Sequence, residues 1–393
     1  MTTKGEYMTD VVIAGIGQTP VGEHWEISLR DLALDAIQDA LKDSGGLKPQ
    51  ALFVGNMLAP NISNQAHLGA LIADYADLTG IEAVTVEAAG ASGGAALRQG
   101  YLAIASGMVD VALVVGVEKF TDKIGPSVEE AIATESDSDF ESMQGMTTTA
   151  QAALLMKRYI YEHQVPANGF AGFALTAHAN GAGNKNAMFR KAIKPETYTK
   201  AEMVNDPLNI FDIAPNADGA AALVLARRDL FPSNWASPPV KIAGSAASSD
   251  MLALHDRKDI LYFDAAQLSA GKAMKQAGVI LDQISFFEYH DIFSLYAALA
   301  LEAVGFAIKG KGWKLAEDGS IGLKGKIPCA TMGGMKARGF PGGAAGVYQA
   351  VEAVTQLRGQ AGANQIAGAK VGLIQSLGGP ASTVVSHILQ NME

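Results

Sequence analysis

Val86-Glu87-Ala88-Ala89-Gly90-Ala91-Ser92-Gly93-Gly94 closes an apolar run, Val84 to Glu87, and opens a helix-like stretch, Ser92 to Ala105. The spacing predicts a buried β-strand, a turn of small residues and a helix starting at Ser92, the local pattern of a parallel α/β sheet. The same alternation runs outward in both directions. Upstream, Val11 to Ala14 is an apolar run followed by a helical pattern from Leu29 to Leu41, and Ala51 to Val54 and Val111 to Val115 are further strand candidates. Downstream, strand signals at Val240 to Ala243, Ile284 to Tyr289, Val371 to Gln375 and Thr383 to Leu389 flank a helix candidate from Ile292 to Val304. The chain therefore reads as two similar α/β halves, residues 1–118 with 217–235 and residues 236–393. Between them, residues 119–216 form a less regular insertion. It holds an acidic stretch, Glu129 to Glu141, read as a solvated face, and a helix candidate, Thr148 to His163. An insertion of this length suits a subdomain that caps a substrate or forms an oligomer contact.

Composition narrows the class. With 393 residues, 49% hydrophobic and 18% charged, the chain can bury a large core. A net charge of -10 argues against nucleic acid, whose phosphates need clustered Lys and Arg. No stretch reaches the apolar length of a membrane span, and the N-terminus lacks a signal-peptide core, so a cytoplasmic location is expected. The single cysteine, Cys329, excludes an internal disulfide framework and a cysteine metal cage. The seven histidines are scattered, so no metal site is expected. Gly15-Ile16-Gly17-Gln18-Thr19-Pro20 imitates the start of a dinucleotide fingerprint, but Pro20 takes the place of its third glycine.

Three further blocks follow the first in order. They are Tyr289-His290-Asp291-Ile292-Phe293-Ser294, then Met332-Gly333-Gly334-Met335-Lys336-Ala337-Arg338-Gly339-Phe340-Pro341-Gly342-Gly343-Ala344, and Gln375-Ser376-Leu377-Gly378-Gly379. Together with the Gly90 turn they resemble the thiolase superfamily, in the archaeal and sterol-carrier-protein-like branch that carries His-Asp-x-Phe. The resemblance implies a duplicated, five-layered α/β/α/β/α fold with an inserted cap and acyl-CoA as substrate, with no permanently bound cofactor. It also implies a homodimer or tetramer and a small zinc-ribbon/OB-fold partner subunit whose zinc is its own.

The resemblance also assigns residues. The family's nucleophilic cysteine corresponds to Gly90, and the histidine of its Gly-His-Pro triplet, which activates that cysteine, corresponds to Phe340. A cysteine at a helix N-terminus is stabilised as thiolate by backbone N–H groups, whereas neither Gly90 nor Phe340 can attack a thioester or move a proton. Ser376 matches a second catalytic position. His290 matches an oxyanion-hole residue, and the backbone N–H groups of Gly90 and Gly378 match a second hole. Ser248, Lys336 and Phe293 fall where the family contacts coenzyme A, with Lys336 and Arg338 equally suited to holding the glycine-rich turn.

Cys329 is read as an inert buried cysteine rather than a displaced nucleophile. Tyr289 and Tyr348 are alternative proton-transfer candidates, with core packing the simpler role for both. Three functions follow from these readings. One is a thiolase-type acyltransferase subunit that forms or cleaves a β-ketoacyl-CoA, bulky or aryl-substituted, seen without its cysteine. Another is a non-covalent acyl-CoA carbon–carbon lyase, and the third is a non-catalytic scaffold subunit. Gly90 itself reads either as an engineered loss of cysteine or as a natural one, with Phe340 favouring the second.

Overall fold

Nine strands carry the fold: β1 (Val11–Gln18), β2 (Ala51–Gly55), β3 (Glu82–Val86), β4 (Val111–Glu118), β5 (Gly219–Arg227), β6 (Val240–Ser249), β7 (Phe286–Glu288), β8 (Val371–Gly378) and β9 (Thr383–Gln390). The computed structural model describes residues 9–231 and 237–392, so the expected boundary between the halves at 235/236 lies outside the described residues. The strands are ordered β3-β2-β4-β5-β1-β6-β9-β8-β7. The duplication is visible in that order. In the first half β2 runs parallel to β3 and β4, while β5 is antiparallel to both β4 and β1. In the second, β7 runs parallel to β8 and to a bridge at Cys329, while β9 is antiparallel to both β8 and β6. Two residue pairs, Val12 with Lys241 and Ile13 with Val240, join the halves edge to edge.

Strand alternation then sorts the side chains into layers. One face of the first sheet packs Val12, Leu52, Leu113 and Val224 against α1 (Leu29–Asp43) and α2 (Leu68–Tyr75). The opposite face packs Ile13, Phe53, Val114 and Leu223 against two central helices, α3 (Ser92–Ala105) and α9 (Ala345–Leu357). The inner face of the second sheet, with Phe286, Ile374 and Leu389, closes on the same pair. Its outer face, with Leu373, Leu377, Val384 and Ile388, packs on α7 (Asp264–Ala277) and α8 (Ser294–Val304). This is the five-layered α/β/α/β/α arrangement. Over it lies the 119–216 segment with α4 (Pro126–Ala133), α5 (Thr148–His163) and α6 (Ala171–Gly181).

Two local expectations change, and the role of Gly15 and Gly17 becomes clear. The strand before Gly90 is not buried: β3 is the sheet's outer edge, and Val84 is 41% exposed there. The acidic stretch is not simply a solvated face, because Glu141 is buried and accepts hydrogen bonds from the Asp137 and Leu254 amides at 3.1 and 2.9 Å, while Glu135 is half-buried. Gly15 and Gly17 serve packing: a Cβ on either would run into the carbonyl oxygens of Ala40 or Ala36 on α1.

The central helices touch backbone to backbone. A Cβ on Gly93 would lie 2.7 Å from the Gly343 carbonyl oxygen, and one on Gly346 would run into the Gly94 amide nitrogen. Gly346→Ala is therefore expected to destabilise the protein by about 1–3 kcal/mol through overpacking. Gly271→Ala in α7, where a Cβ meets nothing within 4 Å, is expected to stabilise by about 0.5–1 kcal/mol through helix propensity. Urea unfolding midpoints of the two variants check the contrast.

Candidate active site

The turn between β3 and α3 is sharp because Ala89 adopts a left-handed backbone conformation, with φ at 51°. That conformation costs an alanine about 1 kcal/mol. Ser92 offsets the strain, its hydroxyl donating to the Ala89 carbonyl at 2.6 Å and accepting from the Ala88 N–H at 2.9 Å. Gly90 is buried at the tip. A Cβ built there would stand 3.2 Å from both Cε1 and Nε2 of His290, and 2.7 Å from the carbonyl oxygen of Leu377. Gly378 packs on the same turn, with its Cβ position 2.5 Å from the Ala88 carbonyl. Residues 90, 290 and 378 thus converge from three separate elements. The Leu377 carbonyl intrudes on the space that a side chain at 90 would need.

His290 is 1% exposed, and neither ring nitrogen has a hydrogen-bond partner. Burial, with the positive Arg338 acting in the same direction, pushes its pKa down to about 3. The ring is therefore neutral at physiological pH, with one N–H and one lone pair in a closed space. A neutral imidazole in that setting polarises a ligand oxygen through a hydrogen bond and is a poor acid. Its backbone is fixed by Gln349, whose side-chain amide donates to the carbonyls of Glu288, Tyr289 and Gln375 at 3.1, 2.8 and 3.1 Å. Phe340 meets the His290 ring edge-on at 5.6 Å and Phe120 at 6.3 Å, so the expected activating position is an apolar wall.

Other expected residues are placed differently. Ser376 donates to Gln349 Oε1 at 2.9 Å and is packed under Gly94 and Gly346, so its hydroxyl braces the central helices. Phe293 is buried and stacks edge-on against Tyr296 at 5.0 Å. Ser248 lies half-buried on β6 and accepts from Lys272 Nζ at 3.0 Å. Lys336 is buried, with its ammonium donating to the Asp212 carbonyl at 2.6 Å; burial lowers its pKa to about 8. It lines an apolar cavity of about 820 Å³ behind residues 213–215, together with His178, Phe189, Ile193 and Phe211. Arg338 is buried too, 3.0 Å from Glu352 and over the Tyr348 ring at 5.0 Å. Both cations hold the 332–344 turn from inside.

Cys329 is fully buried, and burial pushes its thiol pKa well up. Tyr348 donates to the Thr19 carbonyl at 3.0 Å, and Tyr289 packs edge-on between Phe173 and Phe287. Both tyrosines are core residues. Sequence reasoning missed Glu118, which accepts from Asn56 Nδ2 and from the amides of Met57, Leu58 and Gly343, tying the Gly343 turn to the loop after β2. Burial pushes its carboxyl up to about 7 against those hydrogen bonds. A carboxylate ending an otherwise apolar strand was the available signal.

Comparison with known proteins places this arrangement. The family model "Thiolase, N-terminal domain" matches residues 11–229, and "Thiolase C-terminal domain-like" matches residues 246–391. The acetyl-CoA acetyltransferase of Methanothermobacter thermautotrophicus is 42% identical over 97% of this chain and 99% of that protein. The benzoylsuccinyl-CoA thiolase subunit BbsB of Thauera aromatica is 29% identical over 91% of each. The solved structure titled "Ltp2-ChsH2(DUF35) aldolase" superposes with a TM-score of 0.83 at 22% identity, covering 98% of both chains. The chain belongs to the thiolase family, in the branch that archaeal acetyl-CoA acetyltransferases and sterol-carrier-protein thiolases occupy. Among the described residues no helix is long and apolar enough to cross a membrane.

The buried neutral histidine has a stability consequence. Its pKa falls from 6.5 to about 3 on folding, so the contribution is intact above about pH 6.5 and is lost as pH drops toward 3. His290→Gln is expected to gain on the wild type steadily between pH 6.5 and 4. Unfolding midpoints across that range check it, with all other titrating groups common to both proteins.

Proposed function

We propose that this chain binds an acyl-CoA thioester and breaks or forms the adjacent carbon–carbon bond without an acyl-enzyme, as a lyase acting on a β-hydroxyacyl-CoA. The observation that carries this reading is the pairing of an unpartnered, neutral His290 with a side-chain-less Gly90 whose side-chain space the Leu377 carbonyl narrows. The thioester oxygen sits against the His290 N–H, with the backbone N–H groups of Gly90 and Gly378 as the second polarising set. Enolate formation needs such donors but no covalent handle. Phe340 supports the same reading, since it leaves nothing at that position to activate a nucleophile. Phe120, Phe340 and Phe293 give the site an aromatic character that favours a bulky or aryl acyl group. The benzoylsuccinyl-CoA thiolase relative supports that choice, and the naming of a structure with this fold as an aldolase supports the cleavage.

The acyltransferase activity named for the 42% identical relative supports a second reading, in which Gly90 marks a lost cysteine in an otherwise competent thiolase subunit. The two readings part at residue 90. The protein works as a homodimer in this proposal, supported by the open outer edge of β3 with its exposed Val84. A small zinc-ribbon/OB-fold subunit completes the enzyme, supported by the paired naming of the aldolase neighbour.

Incubation with β-hydroxyacyl-CoA thioesters is expected to release an aldehyde or ketone, and His290→Ala to slow that release by about 10²–10³-fold. Gly90→Cys is expected to add no thiolysis of acetoacetyl-CoA or aryl β-ketoacyl-CoA. Thiolysis gained by Gly90→Cys, with no carbonyl release by the parent chain, establishes the acyltransferase reading instead.

A further inference from the structure

Cleaving the Cα–Cβ bond of a β-hydroxyacyl-CoA requires a base for the β-hydroxyl proton. His290, with its pKa pushed down to about 3, is too weak. The other buried titratable groups around it are engaged. Glu118 braces two loops, Glu288 accepts from the Thr331 amide and hydroxyl, and Glu352 faces Arg338. Asp291 accepts from the Met335 amide, and Lys336 donates to the Asp212 carbonyl.

Glu135 belongs to a different part of the chain from these. It follows α4 in the cap, and the residue as a whole is half-buried. Its backbone carbonyl lies 3.4 Å from the Cβ position of Gly379, one residue beyond Gly378, and its carboxylate accepts from Thr148 Oγ1 at 3.1 Å. Glu87, three residues before Gly90, faces it as well. The carboxyl therefore overhangs both the Gly378–Gly379 loop and the turn that carries Gly90.

Buried polar groups without partners gather beside it. The Tyr296 hydroxyl and Nη2 of Arg257 have no hydrogen-bond partner, and these residues are 0% and 7% exposed. Arg257 is positioned from the same loop, its Nη1 and Nε donating to the carbonyls of Pro380 and Met251 at 2.6 and 3.0 Å. Tyr296 interacts electrostatically with both Glu135 and Arg257. Orphaned buried donors point to an acceptor oxygen that a ligand supplies. Asp250 lies 3.8 Å from Arg257 Nε, and Glu141 and Asp264 are close to the same guanidinium, so its charge is already matched. The acceptor is therefore a neutral hydroxyl or carbonyl oxygen.

Resting on the lyase reading above, we propose that Glu135 is the proton-transfer residue of this site and that Tyr296 and Arg257 hold the substrate's β-oxygen beside it. The Glu135 carboxylate takes the β-hydroxyl proton and the β-oxygen becomes a carbonyl. The Cα–Cβ bond breaks, and its electron pair moves into the thioester as an enolate hydrogen-bonded to His290. Glu135 returns the proton to Cα, leaving a shortened acyl-CoA and an aldehyde or ketone, with no co-reactant. Burial, opposed by the Thr148 and Gly379 hydrogen bonds, pushes the Glu135 carboxyl up to about 7, which suits a group that both accepts and returns a proton near neutrality. The groups facing it are Glu87, Thr148, Tyr296 and the Gly379 amide, with Arg257 and Glu141 beyond Tyr296.

The test uses the full chain, with carbonyl release from a β-hydroxyacyl-CoA and α-proton exchange of acetyl-CoA in D2O as two readouts. Glu135→Gln is expected to lose at least about 10²-fold in both and to lose the wild type's activity limb near pH 7. Acetyl-CoA binding by calorimetry should stay within about threefold. Glu135→Asp is expected to restore part of both rates, and Tyr296→Phe to impair cleavage more than exchange. If the wild type cleaves and exchanges and Glu135→Gln does so equally well, the assignment of Glu135 is overturned while the lyase reading stands. A wild type that does neither overturns the lyase reading and this assignment with it.

Discussion

The close contact between α3 and α9 is the constraint on which the rest of the molecule depends. Two helices sandwiched between two sheets usually stand a side chain apart, with interaxial distances of about 8–10 Å. Here Gly93, Gly94 and Gly346 let backbone meet backbone at the N-terminal turns. That contact brings the turn after β3 and the turn before α9 to a single point, although about 250 residues of chain separate Gly90 from Phe340. Ser376 fills the wedge between Gly94 and Gly346 with a hydroxyl rather than a methyl-rich side chain. The convergence of residues 90, 290 and 378 follows from how near the two halves can approach.

Around that point the structure maintains a polar frame in a dry interior. Glu118 anchors the Gly343 turn from the end of β4, Gln349 ties β7 to β8 through three carbonyls, and Arg338 with Glu352 supports the 332–344 turn from below. Buried charges of this kind are costly unless paired and hydrogen-bonded, and each has a partner of opposite sign or a cluster of amides. His290 has neither. Its ring is the polar group in this frame whose two nitrogens both lack a partner, and the nearby Arg338 disfavours a charge on it. In the proposed reading, the neutral imidazole is the group this frame leaves free for a ligand.

The layers were readable from the chain because they depend on local periodicity. The apolar runs at Val111 to Val115 and Thr383 to Leu389 are strands, Ser92 does begin a helix, and the Thr148 to His163 pattern is a helix over that span. What periodicity does not encode is which element covers which. β3 has the composition of a buried strand but takes the sheet edge, and no strand among the described residues pairs with its outer side. Lys336 looks like a phosphate-binding cation in sequence and is capped by a carbonyl 124 residues away. The acidic run in the cap looks solvated because Glu and Asp usually are, and Glu135 and Glu141 depart from that through contacts that include residues 379 and 254. His290 was legible because its neighbours form a block, whereas the partners of Tyr296 and Arg257 are set by tertiary closure alone.

If Gly90 and Phe340 stand where a cysteine and its histidine would be, the consequences for the parts of a thiolase-like site are unequal. Nucleophilic attack requires both groups within a few tenths of an ångström of a set geometry, so it disappears when either goes. Polarisation of a thioester oxygen depends on backbone amides and one imidazole, none of which resides on the missing side chains. With Gly90 in place, the Leu377 carbonyl stands where a Cβ would be crowded, and Phe340 closes the other side with an apolar ring against His290. In the proposed reading, the inner site therefore holds and polarises a ligand. Proton movement comes, in the same proposed reading, from Glu135, whose carboxyl is pushed up to about 7 by burial. The 119–216 segment supplies it, since Glu135 packs against Gly379 without belonging to either sheet.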